Sequence, residues 1–156
     1  MKDALKFAKE YRTAIIIVIV AVILIVLVKK LKTKKEDKVL EAENKAYITT
    51  IQKKVDKNDL SYDGTEYRDM ADQLYEAFNG IGTNDKLWRE VFNRMKTDAD
   101  VNQLIVAFGS RKPTTGGFAL GRKAETLAQW IAGDLNANQR KELNNMLHSK
   151  GITKTF

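Results

Sequence analysis

Ala14-Ile15-Ile16-Ile17-Val18-Ile19-Val20-Ala21-Val22-Ile23-Leu24-Ile25-Val26-Leu27-Val28 is a run of fifteen aliphatic residues without one polar side-chain atom. A helix that is apolar on every face has no side to turn to water, so it does not belong on the surface of a water-bathed domain. At 1.5 Å per residue the run covers roughly 22 Å, against roughly 30 Å for the hydrocarbon core of a bilayer. Tyr11, Thr13 and Leu31 extend it, and Arg12, Lys29, Lys30 and Lys32 can lay their methylene stems into the boundary region. A secretory signal peptide can hold an apolar run of this length, but a small-residue cleavage site should follow it. Here Lys29-Lys30-Leu31-Lys32 follows. The expectation is a single-pass transmembrane helix over residues 13–31.

Outward from the run, residues 1–12 form an N-terminal flank with Lys2, Lys6, Lys9 and Arg12 against Asp3 and Glu10. Residues 32–60 read as a basic juxtamembrane linker or stalk, and Lys29 to Lys38 hold six lysines against Glu36 and Asp37. The positive-inside rule counts Lys and Arg, so six against four points the C-terminal part towards the cytoplasm. Leu40, Tyr47, Ile48, Ile51 and Val55 share one helical stripe, which fits either a solvated stalk or a helix packed on the following domain.

Charge separates the two halves. Residues 1–60 carry 14 Lys/Arg and 8 Asp/Glu, whereas residues 61–156 carry 13 and 12. The basic excess therefore lies beside the apolar run, where anionic headgroups would meet it, and no nucleic-acid footprint is expected on the domain. With no cysteine and the single histidine His148, disulfides, thiol chemistry and His-rich metal sites are excluded. His148 falls near a helix C-terminus, where a cation suits the dipole.

Residues 61–156 read as an all-α globular domain of five short helices, with no alternating strand pattern. The first, about Glu66 to Phe78, buries Tyr67, Met70, Ala71, Leu74 and Phe78 at three-four spacing. Thr83 is the expected cap of the second, which carries Leu87, Trp88, Val91, Phe92 and Met95. Thr97 and Asp98 open the third, with Val101, Leu104, Ile105 and Phe108 inward and Gly109 as its stop. A loop over residues 110–121 holds the only proline, Pro113. The fourth runs from about Arg122 to Leu135 around Leu127, Trp130 and Ile131. Asn136 and Gln139 suggest a capping box for the fifth, with Leu143, Met146 and Leu147 inward and Gly151-Ile152 as a Schellman stop.

Few residues suggest chemistry. Gly116 to Lys123 spells Gly-x-x-x-x-Gly-Arg-Lys, which lacks the Gly-Lys-Ser/Thr of a phosphate-binding loop and follows a helix. Glu76, Glu90 and Glu125 are lone acids, without the second functional group that a cell-wall hydrolase or lyase would pair with them.

One constellation is more specific. Leu74-x-x-Ala77-Phe78-Asn79-Gly80-Ile81-Gly82-Thr83-Asn84-Asp85 resembles the first loop of an annexin repeat. Ala107-Phe108-Gly109 at the end of the third helix and Gly133-Asp134-Leu135 at the end of the fourth continue the resemblance. It implies calcium held by the carbonyls of Phe78, Gly80 and Gly82 with the carboxylate of Asp134. Calcium takes oxygen ligands, and glycines let backbone carbonyls turn inward. The 51 residues from Thr83 to Asp134 exceed the family's spacing, and annexins carry several repeats and no anchor. Without an ion, the same glycines and Thr83 make a tight turn and a helix cap. The Gly-x-Gly-Thr loop, Ala107-Phe108-Gly109-Ser110-Arg111 and the Lys150-Gly151-Ile152 ending are also similar to small domains of bacteriophage structural proteins.

Three functions fit these observations. The first is a non-enzymatic membrane protein, in a phage virion or a cell inner membrane, that ties the bilayer to a capsid or envelope protein. The second is a calcium-dependent lipid-binding module bridging membranes. The third is a membrane-tethered cell-wall enzyme. Self-association is compatible with all three.

Overall fold

The computed structural model describes residues 2–80, 82–114 and 123–156, with side chains described from Val22 onward. Among the described residues there are six α-helices and one pair of two-residue strands. The chain divides into two compact units, Met1–Leu40 and Glu41–Phe156.

The first unit consists of the leading part of α1 (Lys2–Gln52). Val22 to Val28 are each 50–63% exposed, on every face of the helix, and Leu31 is 68% exposed. Among the described residues no helix is long and apolar enough to cross a membrane. The side chains of residues 13–21, half of the expected span, lie outside what is described, as do those of the flank 1–12.

The second unit begins twenty residues before the expected boundary at 61, because the last turns of α1 pack on its core. Tyr47 and Ile48 are half-buried and Ile51 is buried, so this end of the stripe packs on the domain and is not a solvated stalk. One turn earlier Asn44, 3% exposed, donates to Ser110 Oγ (3.1 Å) and to the Ala124 carbonyl (2.8 Å). After α1 a 3-10 turn at Lys57–Asp59, capped by Asp56, leads to Leu60.

α2 (Gly64–Phe78) packs on α3 (Asp85–Arg94) and α4 (Asp98–Phe108), and α6 (Ala137–His148) packs on α3. α5 (Leu127–Asp134) lies against α4. α2, α3, α4 and α6 each start where a side chain accepts from their orphan N–H groups. Asp63 accepts from Thr65 N (2.7 Å) and Glu66 N (2.9 Å), while Glu66 accepts from Asp63 N. Thr97 with Asp100, and Asn136 with Gln139, repeat that reciprocal box at α4 and α6. At the far end of α6, Ile152 N donates to Leu147 O and Gly151 N to His148 O, with Gly151 at φ 79°. That is the Schellman closure expected there, and the positive φ is why glycine occupies it.

Two expectations change. Strand β1 (Ser110–Arg111) pairs antiparallel with β2 (Glu125–Thr126), Ser110 opposite Thr126. This clasp holds the base of the long loop, and α5 therefore starts at Leu127, not at Arg122. The core comprises the apolar faces of all five short helices. Trp88 and Trp130 are fully buried, among Tyr67, Phe92, Leu104 and Ile131.

One charged group sits inside this core. Asp100 is fully buried and accepts from Tyr67 Oη (2.5 Å), Ser61 N (2.8 Å), Lys96 N (2.9 Å) and Thr97 N (3.2 Å). Burial pushes its carboxyl upward, but the bonds from Tyr67, Ser61 and Lys96 outweigh that and hold it below the usual carboxylate range. Burial, and then the Asp100 carboxylate, push the Tyr67 phenol well above its ordinary value.

Candidate functional site

The glycine loop leaves α2 at Phe78, which is buried, and passes through Asn79, Gly80 and Gly82 to Thr83. Gly82 has φ 84°, a backbone conformation that L side chains rarely adopt, so a glycine is required there. Ile81 lies outside the described residues. Asn84 N returns to the Ala77 carbonyl (2.9 Å) and closes the turn.

The cap of α3 is Asn84, not Thr83: the Asn84 carboxamide accepts from Leu87 N (3.2 Å). Thr83 is thereby released for a longer reach, and its Oγ1 donates to the Asp134 carbonyl at 3.1 Å. Asp134 is the last residue of α5. The loop and the end of α5, 51 residues apart, thus meet. Thr83 makes that meeting through the backbone of Asp134. Among the described residues there is no group of three or more His, Cys, Asp or Glu side chains suited to a metal.

The loop after β1 is tied back to α2. Tyr75 Oη donates to the Lys112 carbonyl (2.9 Å), while Asn79 Nδ2 donates to Thr114 Oγ1 (2.9 Å) and Asn79 Oδ1 accepts from Thr114 N (2.9 Å). The phosphate-loop-like stretch 116–123 falls on residues 115–122, outside the described ones, apart from Lys123. Of the lone acids, Glu90 pairs with Lys86 (3.7 Å) on the exposed side of α3, and Glu76 is exposed on α2. Glu125 is taken up in β2. His148 ends α6, exposed, as the charge pattern of a helix C-terminus suggests.

Sequence reasoning overlooked the groups that bind distant segments together. Lys150 Nζ reaches the C-terminal carbonyls of α3, donating to Asn93 O at 2.6 Å, and burial holds its pKa below the ordinary lysine value. Arg89 forms a two-pronged pair with Glu142 (2.6 and 2.9 Å), joining α3 to α6. Asp98 accepts from Thr153 N and Lys154 N (both 2.9 Å), fastening the terminal segment. For Asn44 alone a signal existed, a polar residue interrupting the stripe of α1.

The first unit offers a different surface. Behind Val22–Val28 come Lys29, Lys30, Lys32, Lys34, Lys35 and Lys38, all exposed. Comparison of the sequence with protein-family models and with curated proteins, and of the chain with solved structures, finds no match.

Proposed function

We propose that this is a non-enzymatic, single-pass membrane-anchored structural protein that ties a lipid bilayer to a protein shell, as a virion membrane protein of a lipid-containing phage would. One observation carries this reading. Val22 to Val28 expose apolar surface on every side of α1, while the second unit closes its own core. Seven such side chains moved from water into hydrocarbon are worth on the order of 10 kcal/mol, and residues 13–21 continue the same aliphatic run. The lysines after Val28 favour the cytoplasmic side of a cell membrane. The second unit, stapled by Arg89–Glu142, Lys150 and Asp98, is the partner-binding body.

The test is alkaline carbonate extraction and density flotation of the full chain expressed in bacteria. The anchored protein floats with lipid and resists carbonate, and a protein recovered in the carbonate supernatant defeats the reading. Cross-linking on purified particles or membranes then identifies the partner.

The Thr83–Asp134 contact supports a second reading, a calcium-dependent lipid contact at the glycine loop. There the carbonyls of Phe78, Gly80 and Gly82 and the Asp134 carboxylate would supply oxygens, and affinity would lie near 10⁻⁴–10⁻³ M, roughly, for so few charges.

A further inference from the structure

We propose that Lys29–Lys38 is a collar that binds the phosphates of anionic phospholipids, so that the anchor gathers anionic lipid around itself at that membrane face. This rests on the reading of α1 as a membrane anchor. The six lysines are exposed and lie within ten residues, with Glu36 and Asp37 as the only acids among them. At about 100° per residue, Lys29, Lys30, Lys34, Lys38, Lys35 and Lys32 fall at about 0, 100, 140, 180, 240 and 300° around the axis. No empty sector is wider than about 100°.

That distribution decides the geometry. A helix lying in the membrane plane gathers its lysines on the polar side of an apolar stripe. Here neither the apolar residues nor the lysines keep to one side: Val22–Val28 are exposed all round, and the lysines encircle the same helix directly after them. An all-round apolar cylinder followed by an all-round cationic ring matches a helix crossing the interface, where headgroups surround it. Lysine suits the position because its four-carbon stem can follow hydrocarbon while the ammonium reaches phosphate. A lysine near an anionic surface is worth about a fivefold gain in partitioning, and the gain decays within a Debye length. The charge also ends abruptly. Beyond Lys38, Glu41 and Glu43 come before the next lysine, Lys45, so the cationic band is one helical collar and not a generally basic protein.

The experiment reconstitutes the full chain in phosphatidylcholine vesicles containing trace spin-labelled phosphatidylglycerol or spin-labelled phosphatidylcholine. Relative association is read from the motionally restricted fraction, and carbonate resistance is measured on the same sample. The expected result is a carbonate-resistant protein that prefers phosphatidylglycerol by about fivefold at low ionic strength. In 0.5 M sodium chloride the preference should vanish. It should also vanish in the variant carrying Lys29→Gln, Lys30→Gln, Lys32→Gln, Lys34→Gln, Lys35→Gln and Lys38→Gln. The salt series on the unaltered chain keeps the test decisive if that variant inserts poorly. A carbonate-resistant protein with equal association for both lipids overturns the collar and leaves the anchor standing. A carbonate-extractable protein overturns the anchor itself. Displacement of the anionic lipid by duplex DNA at equal charge concentration would assign the collar to nucleic acid and overturn the lipid proposal.

Discussion

Within α1, Val22–Val28 and Tyr47–Ile51 both carry apolar side chains, yet they meet opposite fates. In the first every side chain is exposed; in the second Ile51 is buried, Tyr47 and Ile48 are half-buried, and Thr49 and Thr50 face outward. The difference is periodicity, not hydrophobicity. A stripe at three-four spacing buries itself on one neighbour and leaves a wet face, whereas an uninterrupted run must be surrounded. The second unit supplies a neighbour for the stripe; in the proposed reading a bilayer surrounds the run.

The strongest way to break this comparison is to charge the run. Ile23→Lys with Ile25→Lys should move the full chain from the membrane pellet to the carbonate supernatant, since two lysines near mid-span cost about 5–7 kcal/mol. The melting of the second unit should stay unchanged. Residues 41–156 expressed alone should be monodisperse, helical and cooperative in thermal unfolding. A non-cooperative melt would show that the second unit needs the first, and the comparison would collapse.

Core truncation comes next. Trp88→Ala or Trp130→Ala should each destabilise residues 41–156 by about 3–5 kcal/mol, a large share of the roughly 5–15 kcal/mol such domains possess. Leu24→Ala in the full chain should leave that same transition where it was. Denaturant midpoints with constant slope provide the measurement, and a near-neutral Trp130→Ala would mark it as a partner contact despite its burial.

The buried carboxylate tests how the second unit tolerates polarity. Tyr67→Phe removes a hydrogen bond to an ionised group and should cost about 1.5–3 kcal/mol. Because hydrogen bonds hold the Asp100 pKa below its unfolded value, the unfolded chain binds the proton more readily. The contribution is therefore present above the ordinary carboxylate pKa, about 4, and is lost as pH falls below it. Melting temperature followed from pH 6 to pH 3 should fall less steeply in Asp100→Asn than in the parent. Parallel curves would remove Asp100 as the cause.

The smallest effects concern the glycine loop. Asn84→Ala should cost about 1 kcal/mol as a lost helix cap, and Thr83→Ala about the same as a lost bond to Asp134. Millimolar calcium separates the two readings of the loop. If the loop is only a turn and a cap, melting of residues 41–156 does not move. If it holds an ion, melting rises, binding to anionic vesicles requires calcium, and Asp134→Ala abolishes both while Asp85→Ala does not.

Much of this protein was determined by the chain alone. Helix existence and stops in residues 64–148 follow from local causes, three-four spacing and side chains that cap within four residues, so Thr97, Asn136, Gly109 and Gly151 were legible. The same locality makes the all-α class and the two buried tryptophans readable, because a side chain on the apolar stripe has nowhere else to go. Other features belonged to the tertiary structure. The β1–β2 clasp is two residues a side, too short for any alternating pattern, and exists because Asn44 and the ends of α4 and α5 bring Ser110 and Thr126 together. Thr83 and Asn84 are both residue types that cap helices. The turn geometry chose Asn84, because Asn84 N closes onto Ala77 O and sends Thr83 towards Asp134. Whether Asp100 is a surface acid or a buried hub is likewise invisible in one dimension. Its partners Tyr67 and Ser61 lie 33 and 39 residues away, and only packing of α2 and of the turn before it on α4 delivers them.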